Sequence, residues 1–315
     1  MNLHTYIPLV ETSGAKIDYQ SRILLIGSCF AENISEQLAY YKFQEVHNPF
    51  GVLFHPVAIE NLVSNAVHNR RYDHQGFYHN EVWSCFDAHS SLNSDTEEEL
   101  YKKLNMQLQK TCESLKNATH IVLTYGTSWV YEIKTEGIIV ANCHKIPQAA
   151  FNKRLLTVEA SANSIARTIE YIRSINDKAE IIITVSPVRH IKDGFHENSQ
   201  SKAHLITALN QVIPQYNYLF YFPSYEIMLD ELRDYRFYKE DLVHPNKMAI
   251  SYIFDKFKEV WIDNDSLTIM KEVAAIRTGL NHKAFNENSQ AHKTFISSLE
   301  KRIQELQKRI SHISF

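Results

Sequence analysis

The sequence predicts an α/β protein: a central parallel sheet covered by helices on both faces, with a helical extension at the C-terminal end. Two observations carry this. Four short apolar, β-branched runs recur along the chain (Ile23–Ile26, Ile121–Thr124, Ile181–Val185 and Tyr218–Phe222), each nearly continuous, as strands buried on both faces require. Helical patterns lie between them, and strands alternating with helices over such distances form parallel crossover units. Taken in order, Ile23–Ile26 is followed by Gly27-Ser28-Cys29-Phe30-Ala31 and a helix-like stretch from Glu32 to Tyr41, then a second strand near Glu45–His47. Ser94-Asp95-Thr96-Glu97 reads as a capping box opening a helix to about Leu115. Val158–Ile175 is amphipathic and leads into the third run, and Ser201–Ile213 leads into the fourth. Pro245 opens a further helical stretch through Met248 and Ile253.

The tail differs. Ile296, Leu299, Ile303, Leu306, Ile310 and Ile313 alternate spacings of three and four, an a/d seam with charged residues on the remaining faces. It has two readings, a terminal helix folded onto its own domain or a homodimer contact. The polar stretch Asn281–Gln290 reads as the linker before it, dividing the chain into residues 1–280 and 281–315.

Bulk composition excludes several classes. The 315 residues are 44% hydrophobic and 22% charged, ordinary values for a chain with a sizeable core. A net charge of −3 supplies no basic field, so no nucleic-acid partner is expected. No run approaches the ~18–20 apolar residues of a membrane span, and no membrane partner is expected. Met1–Tyr6 lacks a basic stretch followed by an apolar core, so no signal peptide is read. Four cysteines (Cys29, Cys85, Cys112, Cys143) stand without CxxC spacing, which points away from a disulfide framework or a zinc site and towards a reduced, cytoplasmic protein without cofactor or metal.

The residues that could carry chemistry gather at predicted strand ends. Gly27-Ser28-Cys29 places two nucleophile-capable side chains where a strand meets a helix N-terminus. Unpaired N–H groups and the positive end of the helix dipole there favour an anion. Cys29 is the stronger nucleophile, its thiol expected to fall towards neutrality at such a position. Ser28 is the rival. Asp241-Leu242-Val243-His244-Pro245 supplies a base, His244, and three residues earlier Asp241 to fix its tautomer. Gly126 and Ser128 follow the strand Ile121–Thr124 and would share the carboxyl edge with Gly27, the edge where open α/β sheets bind ligands. Gly51, after Asn48, allows close backbone approach, so these three are the oxyanion candidates. Arg189 and His190 follow the strand Ile181–Val185 and are read with Asn48 as substrate-binding residues, Arg189 or His190 for a carboxylate or phosphate. Asn142-Cys143-His144-Lys145 lacks the second donor pair that a metal site needs. Arg233-Asp234-Tyr235-Arg236 reads as a surface salt-bridge network.

With these residues assembled, the chain resembles the GSCFA family, named for the motif at Gly27–Ala31. Further segments similar to that family are Asn48-Pro49-Phe50-Gly51, Tyr125-Gly126-Thr127-Ser128-Trp129, Asn142-Cys143-His144-Lys145, Val185–His190, Phe222-Pro223-Ser224-Tyr225-Glu226 and Leu232–Phe237 running on to Asp241–Pro245. The family in turn looks like a branch of the SGNH (GDSL-type) hydrolases, which implies a flavodoxin-like three-layer α/β/α fold. Their Asp-x-x-His block falls on Asp241 and His244, and their Gly-Asp-Ser block on Gly27-Ser28-Cys29 with Cys29 at the nucleophile position. The second-block glycine is similar to Gly51, and the Gly-x-Asn block to Gly126-Thr127-Ser128, with Ser128 in place of the oxyanion Asn. The resemblance implies an esterase or O-acyltransferase acting on a small-molecule acyl ester or acyl donor. The competing expectation is a binding module that keeps the fold without catalysis.

Overall fold

A computed structural model describes residues 5–283, 285–286 and 289–315. The chain opens with β1 (Arg22–Gly27), α1 (Cys29–Tyr40), β2 (Gln44–His47) and α2 (Pro56–Val67). A hairpin of β3 (Gly76–His79) and β4 (Val82–Cys85) precedes α3 (Glu97–Asn117) and β5 (His120–Tyr125). A small antiparallel sheet follows, from β6 (Trp129–Ile133), β7 (Ile139–Val140) and β8 (Phe151–Leu155). Then come α4 (Val158–Ile175), β9 (Glu180–Val185), α5 (Phe195–Val212), β10 (Leu219–Tyr221) and the single turn α6 (Ser224–Glu226). The chain closes with α7 (Lys247–Trp261), α8 (Asn264–Leu280) and α9 (Gln290–Arg309).

Five strands form one parallel sheet in the order β2-β1-β5-β9-β10. Counted along the chain this is 2-1-3-4-5, the flavodoxin order, whose direction reverses between β1 and β5. All three central strands are buried along almost their whole length, because helices cover both faces. Leucines and isoleucines of α2, α3, α4 and α5 fill one side of the sheet. Residues of α1, α7, α8 and α9, among them Phe30, Phe254, Phe257 and Trp261, fill the other. The fold is the expected three-layer α/β/α.

Several boundaries differ from the sequence reading. The cap of α3 is Thr96, whose Oγ1 accepts from the Glu99 N–H at 3.2 Å, so the capping residue lies two positions after the predicted Ser94. Helix α5 begins at Phe195 rather than Ser201. Its first buried positions are Asn198, Ser201 and Lys202, polar residues that hide the apolar period. The tail helix folds onto its own chain, with Leu299, Leu306, Ile310 and Ile313 buried in the core that α1, α7 and α8 share. Arg309 pairs with Glu272 of α8, and His312 reaches the Lys42 carbonyl at 3.1 Å. Those four seam positions are therefore covered within the chain. Of the predicted linker, Ala284, Glu287 and Asn288 lie outside the described residues, as do Met1–His4 of the segment read for a signal peptide. No helix of the described residues is long and apolar enough to cross a membrane.

Candidate active site

The strand register sets the site. Gly27 pairs with Thr124, Thr124 with Thr184, and Tyr125 with Val185, so β1, β5 and β9 end together and their following loops share one rim. Gly27 leaves β1 with φ +142°, and a Cβ there would stand 2.1 Å from the Thr124 carbonyl oxygen. Only glycine fits. The Gly27 N–H donates to Asn48 Oδ1 at 2.9 Å and the Ser28 N–H to the Thr124 carbonyl at 3.0 Å. Ser28 is fully buried and caps α1, its Oγ accepting from the Phe30 N–H at 3.3 Å. Its hydroxyl is thus spent on the helix end. Cys29 is the first helical residue and half-buried, the more accessible of the two rivals.

The thiol is not activated as the helix-terminus argument expects. Burial, then the nearby Glu32 carboxylate, raise its pKa above the ordinary thiol value. The Lys202 ammonium, the thiol's own backbone N–H and Lys239 pull the other way without overcoming them. Desolvation outweighs the dipole here, because the thiol is partly buried.

The expected base has its orienting partner. Asp241 Oδ2 lies 2.7 Å from His244 Nδ1, and Asp241 Oδ1 accepts the N–H groups of Val243 and His244 at 2.9 and 3.0 Å. Those N–H groups, His244's first, hold the carboxyl down at about 2. An ionised Asp241 fixes the Nδ1–H tautomer and leaves Nε2 as acceptor. The Arg189 N–H donates to the Val243 carbonyl at 3.3 Å, which fastens this loop to the rim beyond β9. Strands β1 and β9 flank β5, so the loops that carry Cys29 and Arg189 leave the sheet two strands apart. Among the described residues no hydrogen bond joins Cys29 to His244.

The three expected oxyanion donors are engaged elsewhere. The Gly51 N–H donates to the Asn48 carbonyl at 2.7 Å; its glycine is explained by φ +72° and by His89, whose Cβ would stand 2.3 Å from an added methyl. The Gly126 N–H donates to the Phe54 carbonyl at 2.7 Å. Ser128 is buried, its N–H on Ser201 Oγ at 2.7 Å and its hydroxyl on the Ser201 carbonyl at 3.2 Å, so it ties β6 to α5. Asn48, read as a substrate-binding residue, accepts the Gly27 N–H on its Oδ1, and among the described residues its buried Nδ2 has no partner.

Arg189 and His190 both reach the rim. His190 packs edge-on against Phe54 at 5.3 Å, and among the described residues its buried Nε2 has no partner. Burial, then the Lys202 cation and His244, hold it neutral, down at about 3. The arginine's Nε is likewise buried without a partner. Lys202 is the residue sequence reasoning missed. It is fully buried, and Nζ donates to the carbonyls of Gly126 and Ser186 at 2.7 Å each, stapling the loops after β5 and β9. Burial lowers its pKa to about 7, and Cys29 is the charge partner that opposes the fall. The signal was present: a lysine within the stripe Ser201, Lys202, Leu205, Leu209 of an amphipathic helix. A cavity of about 660 Å³ runs from His190, Phe54 and Thr127 to Trp129, Asn142 and Cys143. The turn Asn142–Lys145 is structural: Asn142 Oδ1 accepts from the His144 N–H at 2.9 Å, and His144 Nε2 donates to the Cys85 carbonyl at 2.8 Å. Arg233 pairs with Asp230 at 2.7 Å and Arg236 with Asp234 at 2.9 Å, two surface pairs rather than one network.

Fold and rim together define a flavodoxin-order α/β/α protein carrying a cysteine at the head of its first helix and a carboxylate–imidazole pair on the same sheet edge. Residues 22–257 match the family model described as GSCFA family, and residues 273–315 match that described as GSCFA domain protein, C-terminal domain. The chain belongs to the GSCFA family. No curated protein matches it.

Proposed function

We propose that the protein transfers acyl groups from a small-molecule ester or thioester, to water or to another hydroxyl, through a thioester on Cys29. The observation that carries this is the Asp241–His244 pair, an imidazole oriented by a carboxylate in a loop tied through Arg189 to the rim where the half-buried thiol sits. In the reaction, Sγ attacks the acyl carbonyl while His244 Nε2 takes the thiol proton. Collapse of the tetrahedral intermediate forms the thioester and expels the alkoxide or thiolate, which receives that proton. His244 then deprotonates the incoming water or alcohol, which attacks the thioester and restores the thiol. The Cys29 N–H and Asn48 Nδ2 are the oxyanion donors. Because the resting thiol is held above its ordinary pKa, proton transfer to His244 accompanies attack.

The competing reading is a binding module. It is favoured by the raised thiol pKa and the three engaged donors. Turnover of aryl acetates, and of acyl-CoA with sugars, separates the two. Cys29→Ala should abolish turnover, and His244→Ala should lower it by roughly 10²–10⁴, the usual contribution of a positioned base. Loss in Ser28→Ala with retention in Cys29→Ala would reverse the nucleophile assignment. No turnover with any acyl donor would favour the binding module.

A further inference from the structure

Beside the Asp241–His244 pair lies a second cavity, of about 650 Å³, walled by Arg189, Phe195, Tyr235, Tyr238, Asp241 and Leu242. Its rim is unusually apolar for surface: Phe195, Tyr235 and Leu242 are 65%, 76% and 53% exposed. Its charges are unequal in their company. Asp241 is held by His244, while Asp234 and Arg233, which also line the cavity, pair with Arg236 and Asp230. Among the described residues Arg189 alone of these has no carboxylate partner; its guanidinium lies 5.7 Å from the Phe195 ring centroid. A guanidinium with buried, unused N–H capacity is a strong site for a planar or tetrahedral oxyanion.

We infer that this cavity binds the substrate's remote end, and that this end is an amphipathic anion: a carboxylate or phosphate on Arg189 with an apolar body against Phe195, Tyr235 and Leu242. The inference deepens the acyl-transfer reading, since Asp241 lines the cavity and orients the proposed base. An anion seated on Arg189 places the rest of the same molecule along the wall that Asp241, the partner of His244, contributes. A neutral ligand gains the apolar contacts but leaves the guanidinium unpaired, which costs binding relative to the anion.

The test is binding, measured on Cys29→Ala protein so that it does not depend on chemistry. Benzoate, phenyl phosphate, benzamide and inorganic phosphate are titrated by calorimetry. At least one of the two aryl anions should bind about tenfold or more tightly than benzamide, as a charge-assisted contact predicts. Whichever of them binds more tightly assigns carboxylate or phosphate, and inorganic phosphate, lacking the apolar body, should bind more weakly than phenyl phosphate. Arg189→Met should remove the preference for the anion and Arg189→Lys should keep part of it. Should Arg189→Met fail to fold, Tyr235→Glu at the exposed rim should weaken the aryl anion about tenfold by repulsion, while Tyr235→Phe leaves it bound. Benzamide equal to both anions, or binding unchanged in Arg189→Met or in Tyr235→Glu, would overturn the inference. If the anion binds but native protein shows no Cys29-dependent turnover, the acyl-transfer reading fails and the anion site stands. The converse pattern removes the site and keeps the reaction.

Discussion

At the scale of single residues, competition between dipole and desolvation decides the chemistry of Cys29. A thiol at a helix N-terminus gains from the unpaired N–H groups, but this one is half-buried and feels the Glu32 carboxylate, and its pKa rises. Iodoacetamide labelling of Cys29 should therefore be slow near neutral pH and still climbing above the ordinary thiol value of 9.0, with Lys202→Met shifting the profile further upwards. A plateau near neutrality would mean the burial argument is misjudged. The place of Cys29 at the head of α1 and the Asp241–His244 contact were legible because each motif lies at a strand end or helix entrance with a recognisable spacing. That the three expected oxyanion donors are engaged elsewhere was not. Whether the N–H of Gly51 or the hydroxyl of Ser128 is available depends on partners from distant elements, the Asn48 carbonyl and Ser201, and no local pattern carries that information.

At the scale of elements, α2 shows how tertiary context builds a terminus that sequence patterns miss. His55 caps it: Nδ1 accepts from the Ala58 N–H at 3.1 Å and Nε2 donates to the Val140 carbonyl at 3.0 Å. This requires a neutral ring, and burial holds its pKa down at about 4 from an ordinary 6.5. Below pH 6.5 the unfolded chain takes up a proton that the folded chain refuses, so stability falls as pH drops from 6.5 to about 4 and then levels. The loss from this residue is of order 3 kcal/mol. His120, His144 and His190, also depressed, act in the same direction. Denaturant midpoints measured between pH 7 and pH 4 should show this slope. His55→Asn, which caps without titrating in this range, should flatten it. An unchanged slope in that variant would assign the effect elsewhere. Helix α2, α8, the β3–β4 hairpin and the β6-β7-β8 sheet were not read from the sequence, since short or mixed apolar runs carry weak periodicity. The long, continuous strands of the central sheet carry a strong one.

At the scale of the whole molecule, both faces of the sheet need their helical layer, and the tail completes one of them. Leu306 is fully buried against the α1, α7 and α8 side. Leu306→Ala should cost about 2–5 kcal/mol by equilibrium unfolding, the range for large-to-small core substitutions. A cost near zero would mean the helix is only loosely docked. The 3-4 spacing of the tail was visible in the sequence, but an a/d stripe looks alike whether it meets its own core or a second chain. The layered sheet brings the loops after β1, β5 and β9 to one rim, and the account stands on Cys29 and His244 sharing one reaction there. The most direct measurement is mass spectrometry of the protein quenched during turnover of an aryl ester. The account predicts one acyl group, labile to hydroxylamine, on the peptide containing Cys29 and none in Cys29→Ala. An acyl group on Ser28, or turnover that proceeds undiminished without the cysteine, would contradict it.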